Sequence, residues 1–161
     1  MLEEALHVNR FLVGVGQHLV NELADERLTE QPLPGVNHPT WILGHLALIA
    51  DIVGESCGGT RTLPAEWGTL FGQGTQPSSA RGGYPSRSEL LRAFEESYRR
   101  LREQVAAAGP DLLAQPPTSP RARAAFPTFK ELATFILTGH VGVHLGQLSA
   151  WRRMIGLPPT F

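Results

Sequence analysis

Between Ser86 and Gly109 the apolar residues Leu91, Phe94, Tyr98, Leu101 and Val105 step by three and four. That rhythm is the inward seam of a helix in a bundle. Ser86 and Glu89 stand at its start with the spacing of a capping box, where each side chain can satisfy a free N–H near the other. Gly109-Pro110 ends it. Three further segments share this period, and no stretch of comparable length alternates as a strand does. An all-α chain of four main helices is therefore expected.

The first helix is placed from Leu2 to about Leu23, before the Gln31–Gly35 break with its two prolines. The second begins at Asn37 as N-cap with Pro39 in the first turn, where its missing N–H is harmless. Trp41, Ile42, His45, Leu48, Ile52 and Val53 share its apolar face, and Gly58-Gly59 ends it. The fourth starts at Pro127-Thr128, with Thr128 and Glu131 as a second capping box, and runs to about Ile155. The connections are unequal. Residues 57–85 form a long Gly- and Pro-containing stretch, with a short helix expected within Leu63–Phe71, and residues 115–123 are Pro-rich. A loop as long as the first is unusual in a compact domain unless it serves a site. The 161 residues fit one domain, 1–161, able to bury a core unaided.

Charge narrows the partners. With 14 basic and 15 acidic residues the net charge is -1. No cationic surface is expected for nucleic acid or an anionic membrane. One cysteine, Cys57, excludes an internal disulfide and fits a reducing compartment. The first residues lack a basic-then-apolar leader, and no apolar run reaches the roughly 20 residues of a membrane span. A cytoplasmic protein acting on a small molecule is expected.

Chemistry concentrates in the histidines. His140 and His144 lie four apart, on one helical face, so two imidazoles can converge on one ion. The zinc-peptidase pattern H-E-x-x-H uses that spacing, but Val141 occupies the position of its glutamate base, which removes the peptidase mechanism. His45, on the apolar face of the second helix, is the best third ligand. Bundle cores assemble metal sites from such inward side chains, and a catalytic zinc commonly takes three of them. Spacing alone leaves a second reading open, in which all three are core histidines bonded to carbonyls.

The remaining candidates are weaker. His7 and His18 fall off the apolar stripe, and His38 at the second helix start is expected at the surface. Cys57 lies about 18 Å along the axis from His45, too far to share an ion. Asp51 points to the other side of its helix. Gln147, one turn beyond His144, is a candidate to hydrogen-bond a ligand or a metal-bound water, with helix packing or a supporting role behind a metal ligand as the other reading. Trp41 and Trp151 read as core or pocket walls, and Tyr98 as a packed aromatic. Paired E-x-x-H motifs and phosphate-binding glycine loops are absent.

Two segments carry a family resemblance. Asn37-His-Pro-Thr-Trp41-Ile-Leu-Gly-His45-Leu is similar to the second-helix signature of the DinB/YfiT-like superfamily. His140-Val-Gly-Val-His144-Leu-Gly146-Gln147-Leu resembles its fourth-helix signature, and Trp151 to Pro159 fits the C-terminal end. The resemblance implies a four-helix bundle with long crossover connections, often a homodimer. It implies one divalent metal ion, zinc or nickel, on His45, His140 and His144. It further implies an enzyme that transfers a low-molecular-weight thiol, such as mycothiol or bacillithiol, to an electrophilic small molecule. Metal-dependent hydrolysis and a non-catalytic, ligand-binding stress-response bundle are the alternatives.

Overall fold

The computed structural model describes residues 2–160, and no strand occurs among them. The elements are α1 (Leu2–Val20), a 3₁₀ turn (Asp25–Thr29), α2 (Pro39–Ser56), α3 (Trp67–Phe71), α4 (Arg87–Ala107), α5 (Pro110–Ala114), α6 (Pro120–Ala125), α7 (Phe129–Phe135), a π turn (Ile136–His140) and α8 (Val141–Met154). Helices α1, α2, α4 and the continuous α7–π–α8 rod form the bundle. Helix α2 packs along α4, and α1 packs along α8. No described helix is long and apolar enough to cross a membrane.

The α4 seam forms with one shift. Phe94, Tyr98, Leu101 and Val105 are fully buried, but the first inward position is Leu90, while Leu91 is only half-buried. From Leu90 the buried positions step by 4, 4, 3 and 4, so the period stays helical and only the first inward residue moves by one. Both capping boxes are present, at Ser86/Glu89 and Thr128/Glu131.

Helix α1 ends at Val20, three residues before the expected Leu23, and the chain tightens into turns through Asn21 N–H to His18 O and Leu23 N–H to Val20 O. Leu23 and Leu28 are still buried there. At the second helix the cap is His38, not Asn37. The His38 Nδ1 accepts from Trp41 N–H at 3.1 Å, and its Nε2–H donates to Ser78 O at 3.0 Å. His38 is fully buried, which overturns the expected surface position. Its two ring nitrogens join the helix start to the long connection, so burial leaves neither unsatisfied.

The long connection is tied down. Asp51, 4 % exposed, accepts from Thr62 N–H and Leu63 N–H, each at 3.2 Å, and from Arg100 at 2.8 Å. Trp41 Nε1–H donates to Thr75 Oγ1 at 2.9 Å. Arg81 pairs with Asp25 at 2.8 Å. Asp51 is therefore a staple between α2, α4 and the loop, on the side of α2 away from the histidines, as its position in the helix implies.

The fourth bundle element departs most from a plain helix. Over Ile136–His140 it widens into a π turn, a rare form that concentrates at functional sites. Thr134 and Thr138 bond back to the carbonyls of Lys130 and Thr134, which bends helices. Asn9, fully buried on α1, donates from Nδ2 to Leu137 O at 2.7 Å, inside this turn. Arg102 on α4 in turn donates to Asn9 Oδ1 at 2.7 Å.

Candidate metal centre

Three histidines meet between α2 and the π–α8 junction. His45 sits midway along α2, His140 closes the π turn, and His144 lies one turn into α8. One ring nitrogen from each lies within 4.8 Å of the others. The ring centroids are separated by 5.3 Å (His45–His140), 4.9 Å (His45–His144) and 4.8 Å (His140–His144). A single divalent ion fits this donor set, since neutral imidazoles suit zinc and nickel.

Two rings have their tautomers set by neighbours. A backbone carbonyl can only accept, so the 2.7 Å contact from His45 Nδ1 to Phe71 O places the proton on Nδ1 and a lone pair on Nε2. The His45 ring also stacks on Trp41, with centroids 4.7 Å apart and planes 7° from parallel. His144 Nδ1 lies 3.0 Å from Gln147 Oε1, which also accepts from Asn37 Nδ2 at 3.3 Å. Gln147 thus orients His144 and joins α8 to the residue preceding α2. In metal sites this outer bond fixes the ring that ligates. His140 differs, because its Nδ1 is buried and has no hydrogen-bond partner among the described residues. Such an orphaned ring nitrogen is costly unless something else satisfies it.

Burial keeps these rings uncharged. It drives the His140 pKa down to about 3, with repulsion from His144 and His45 adding to the effect. For His144 burial and then His45 lower it to about 4. His45 is lowered by burial against the opposing bond to Phe71 O. Neutral imidazoles near pH 7 offer lone pairs rather than protons, as metal ligation requires.

The histidines open onto a cleft of about 540 Å³. One wall is α2, through Trp41, Ile49, Ile52 and Val53. The facing wall is α7 and the π turn, through Phe129, Leu132, Phe135 and Ile136. Gln73 and Gly74 of the long connection reach its edge, and the segment from Pro117 to Phe126, including α6, closes another side. The first of these is the loop whose length marked it for a site. The sequence marks the second only as far as the Pro-rich stretch 115–123, and Phe126, its one aromatic residue, lies beyond that. No aspartate or glutamate lines the cleft among the described residues.

The other candidates lie elsewhere. His7 and His18 are exposed on α1. Cys57 caps the end of α2, and burial raises its thiol pKa to about 11. Trp151 is buried, with Nε1–H on Glu30 O at 2.7 Å, and Tyr98 is buried in the α4 seam. A family model described as the DinB superfamily matches residues 16–148, a range that contains all three histidines and Gln147. No curated protein matches the sequence.

Proposed function

This chain belongs to the DinB superfamily, and on that premise we propose that His45, His140 and His144 hold one zinc or nickel ion at which a low-molecular-weight thiol is transferred to an electrophilic small molecule. The carrying observation is the cleft itself. Three neutral histidines face a cleft lined mainly by apolar side chains, with hydroxyls, Gln73 and Arg121, and without a carboxylate among the described residues to act as general base. A hydrolase at this site would need such a proton acceptor within reach of the attacking water. A thiol that arrives from outside brings its own nucleophile.

A divalent ion bound there supplies charge that favours thiolate over thiol. The chain's own part is positional. Phe71 O and Gln147 hold two imidazoles with Nε2 free, and Trp41 backs the first ring. The apolar walls exclude water, which strengthens electrostatic effects and limits hydrolysis of the electrophile. In the reaction the sulfur forms a new C–S bond, and the thiol proton leaves to solvent. With a substitution substrate the leaving group departs with the bonding pair. With an unsaturated substrate a proton returns to the neighbouring carbon.

The test has two steps. Elemental analysis of purified wild type and His140→Ala should find about one zinc or nickel per wild-type chain and none in the variant. Metal-loaded protein is then assayed with cysteine, mycothiol or bacillithiol against 1-chloro-2,4-dinitrobenzene and maleate-type acceptors. Turnover that needs both metal and thiol supports the reading. Turnover without thiol would favour hydrolysis, and metal-loaded protein inert to the whole panel would overturn thiol transfer.

A further inference from the structure

The cleft has a shape and a charge pattern that the metal reading does not use. From His45 its α2 wall continues through Ile49, Ile52 and Val53 to Ser56, one helical face followed for eleven residues. At a rise of ~1.5 Å per residue this is a trough about 16 Å long. The opposite wall runs the same way, from His140 back through Ile136, Leu132 and Phe129. Helices α2 and α7–α8 both carry their apolar faces away from the histidines, so the metal end is one terminus of the trough and Ser56 marks the other. Along this concave surface Ile49 and Ile52 are half-buried and Phe135 is 37 % exposed. Apolar side chains left open along a concave surface mark a binding groove.

One charged side chain apart from the histidines lines this trough, Arg121 on α6. It makes no hydrogen bond or ion pair among the described residues, whereas its neighbour Arg123 is spent on the carbonyls of Pro117 and Thr118 at 3.0 and 3.3 Å. Those bonds fix the turn that carries Arg121 to the rim. Arg121 is exposed at the cleft edge, and an unpaired guanidinium beside an apolar trough with no acidic lining among the described residues is complementary to a carboxylate or similar anion.

We propose that the electrophile handled at this site is an elongated apolar anion, a chain or linked-ring body that lies along the Ile49–Ile52–Phe129–Leu132 trough and places its anionic group against Arg121. The inference rests on the reading of this cleft as the substrate site and specifies what the substrate must be. It does not depend on which thiol is used.

The experiment is calorimetric titration of the full-length protein, as purified and without thiol, with hexanoate, octanoate and decanoate, and with octanol as the neutral analogue. Affinity should rise about fourfold for each methylene that stays within the trough. Arg121→Gln should weaken octanoate about tenfold and leave octanol unchanged. Ser56→Trp, which fills the far end, should remove the gain from octanoate to decanoate and leave hexanoate as in wild type. Hexanoate binding by that variant also shows that it folds. Affinity that does not change with chain length would overturn the proposal. So would an Arg121→Gln variant that binds octanoate as wild type does, or a Ser56→Trp variant that keeps the length dependence. Since no thiol is present, a failed transfer screen would sink thiol transfer without touching this result.

Discussion

His45 donates from Nδ1 to the carbonyl of Phe71 at 2.7 Å, so the ring that α2 turns toward the cleft is oriented by the last residue of α3. The same Phe71 packs its ring, fully buried, over Gly44. A Cβ at position 44 would come within 2.5 Å of that ring. The absent side chain therefore lets α3 approach α2 closely enough for the carbonyl to reach His45. Gly44→Ala is expected to push Phe71 outward and lengthen the bond. Overpacking of this kind destabilises by about 1–3 kcal/mol. Loss of the outer bond should also weaken metal affinity by about tenfold. Urea unfolding and competition titration with a chromophoric chelator measure the two effects separately.

The buried histidines make stability depend on acid. Their folded pKa values lie below the ordinary value of 6.5, at about 3 for His140 and about 4 for His144. Below pH 6.5 the unfolded chain takes up protons that the folded chain refuses, so stability falls as pH drops and the loss is complete only near pH 3–4. The slope is at most about 1.4 kcal/mol per pH unit for each histidine involved. Stability of metal-free protein should be flat from pH 8 to 7 and decline between pH 6 and 4. His140→Phe should decline less steeply. An equal slope in the variant would mean that His140 does not carry the effect.

Much of this arrangement was legible beforehand, for physical reasons that can be named. The three-and-four spacing of Phe94, Tyr98, Leu101 and Val105 placed the α4 seam, because side-chain direction on a helix follows from position alone. The four-residue gap from His140 to His144 placed two rings on one face for the same reason. What escaped were interactions between segments distant in sequence. His38 looked like a surface residue at a helix start, since nothing local shows that Ser78 and Tyr84 will cover it. Nothing near α6 announced that it would wall the cleft. The π turn escaped because the side chain that bonds into it, from Asn9 to Leu137 O, comes from 128 residues earlier. The back-bonding threonines 134 and 138 beside Gly139 were its only local trace.

That distant contact leads to a prediction for Asn9. Replacing it by leucine removes the donor to Leu137 O and the acceptor for Arg102 together, in a fully buried place. Each stranded group costs about 1–3 kcal/mol. The π turn that presents His140 would then relax toward a regular helix and rotate the ring out of the cleft. Asn9→Leu should therefore lose metal affinity as well as stability. Cobalt-substituted protein offers the distinguishing signal, because its visible absorption reports ligand geometry. A spectrum identical to wild type, in a variant that is merely less stable, would reduce Asn9 to a packing role.

Asp51 provides the contrasting case. Its carboxylate is buried, but every partner belongs to the loop or to α4: Thr62, Leu63, Arg61 and Arg100. Asp51→Ala would leave two backbone N–H groups and the Arg100 guanidinium without their acceptor. Arg61 and Arg100 retain 36 % and 21 % side-chain exposure, so water recovers part of the loss. A destabilisation of about 2–4 kcal/mol is expected from urea unfolding. Metal content should remain at the wild-type level, since the hydrogen bonds to Phe71 O and Gln147 and the stack on Trp41 that hold His45 and His144 do not pass through residues 61–63. Faster proteolysis confined to the stretch following Cys57, with metal retained, would locate the damage in the staple. Metal loss in step with loop release would instead make the connection at 57–85 a direct determinant of the histidine geometry.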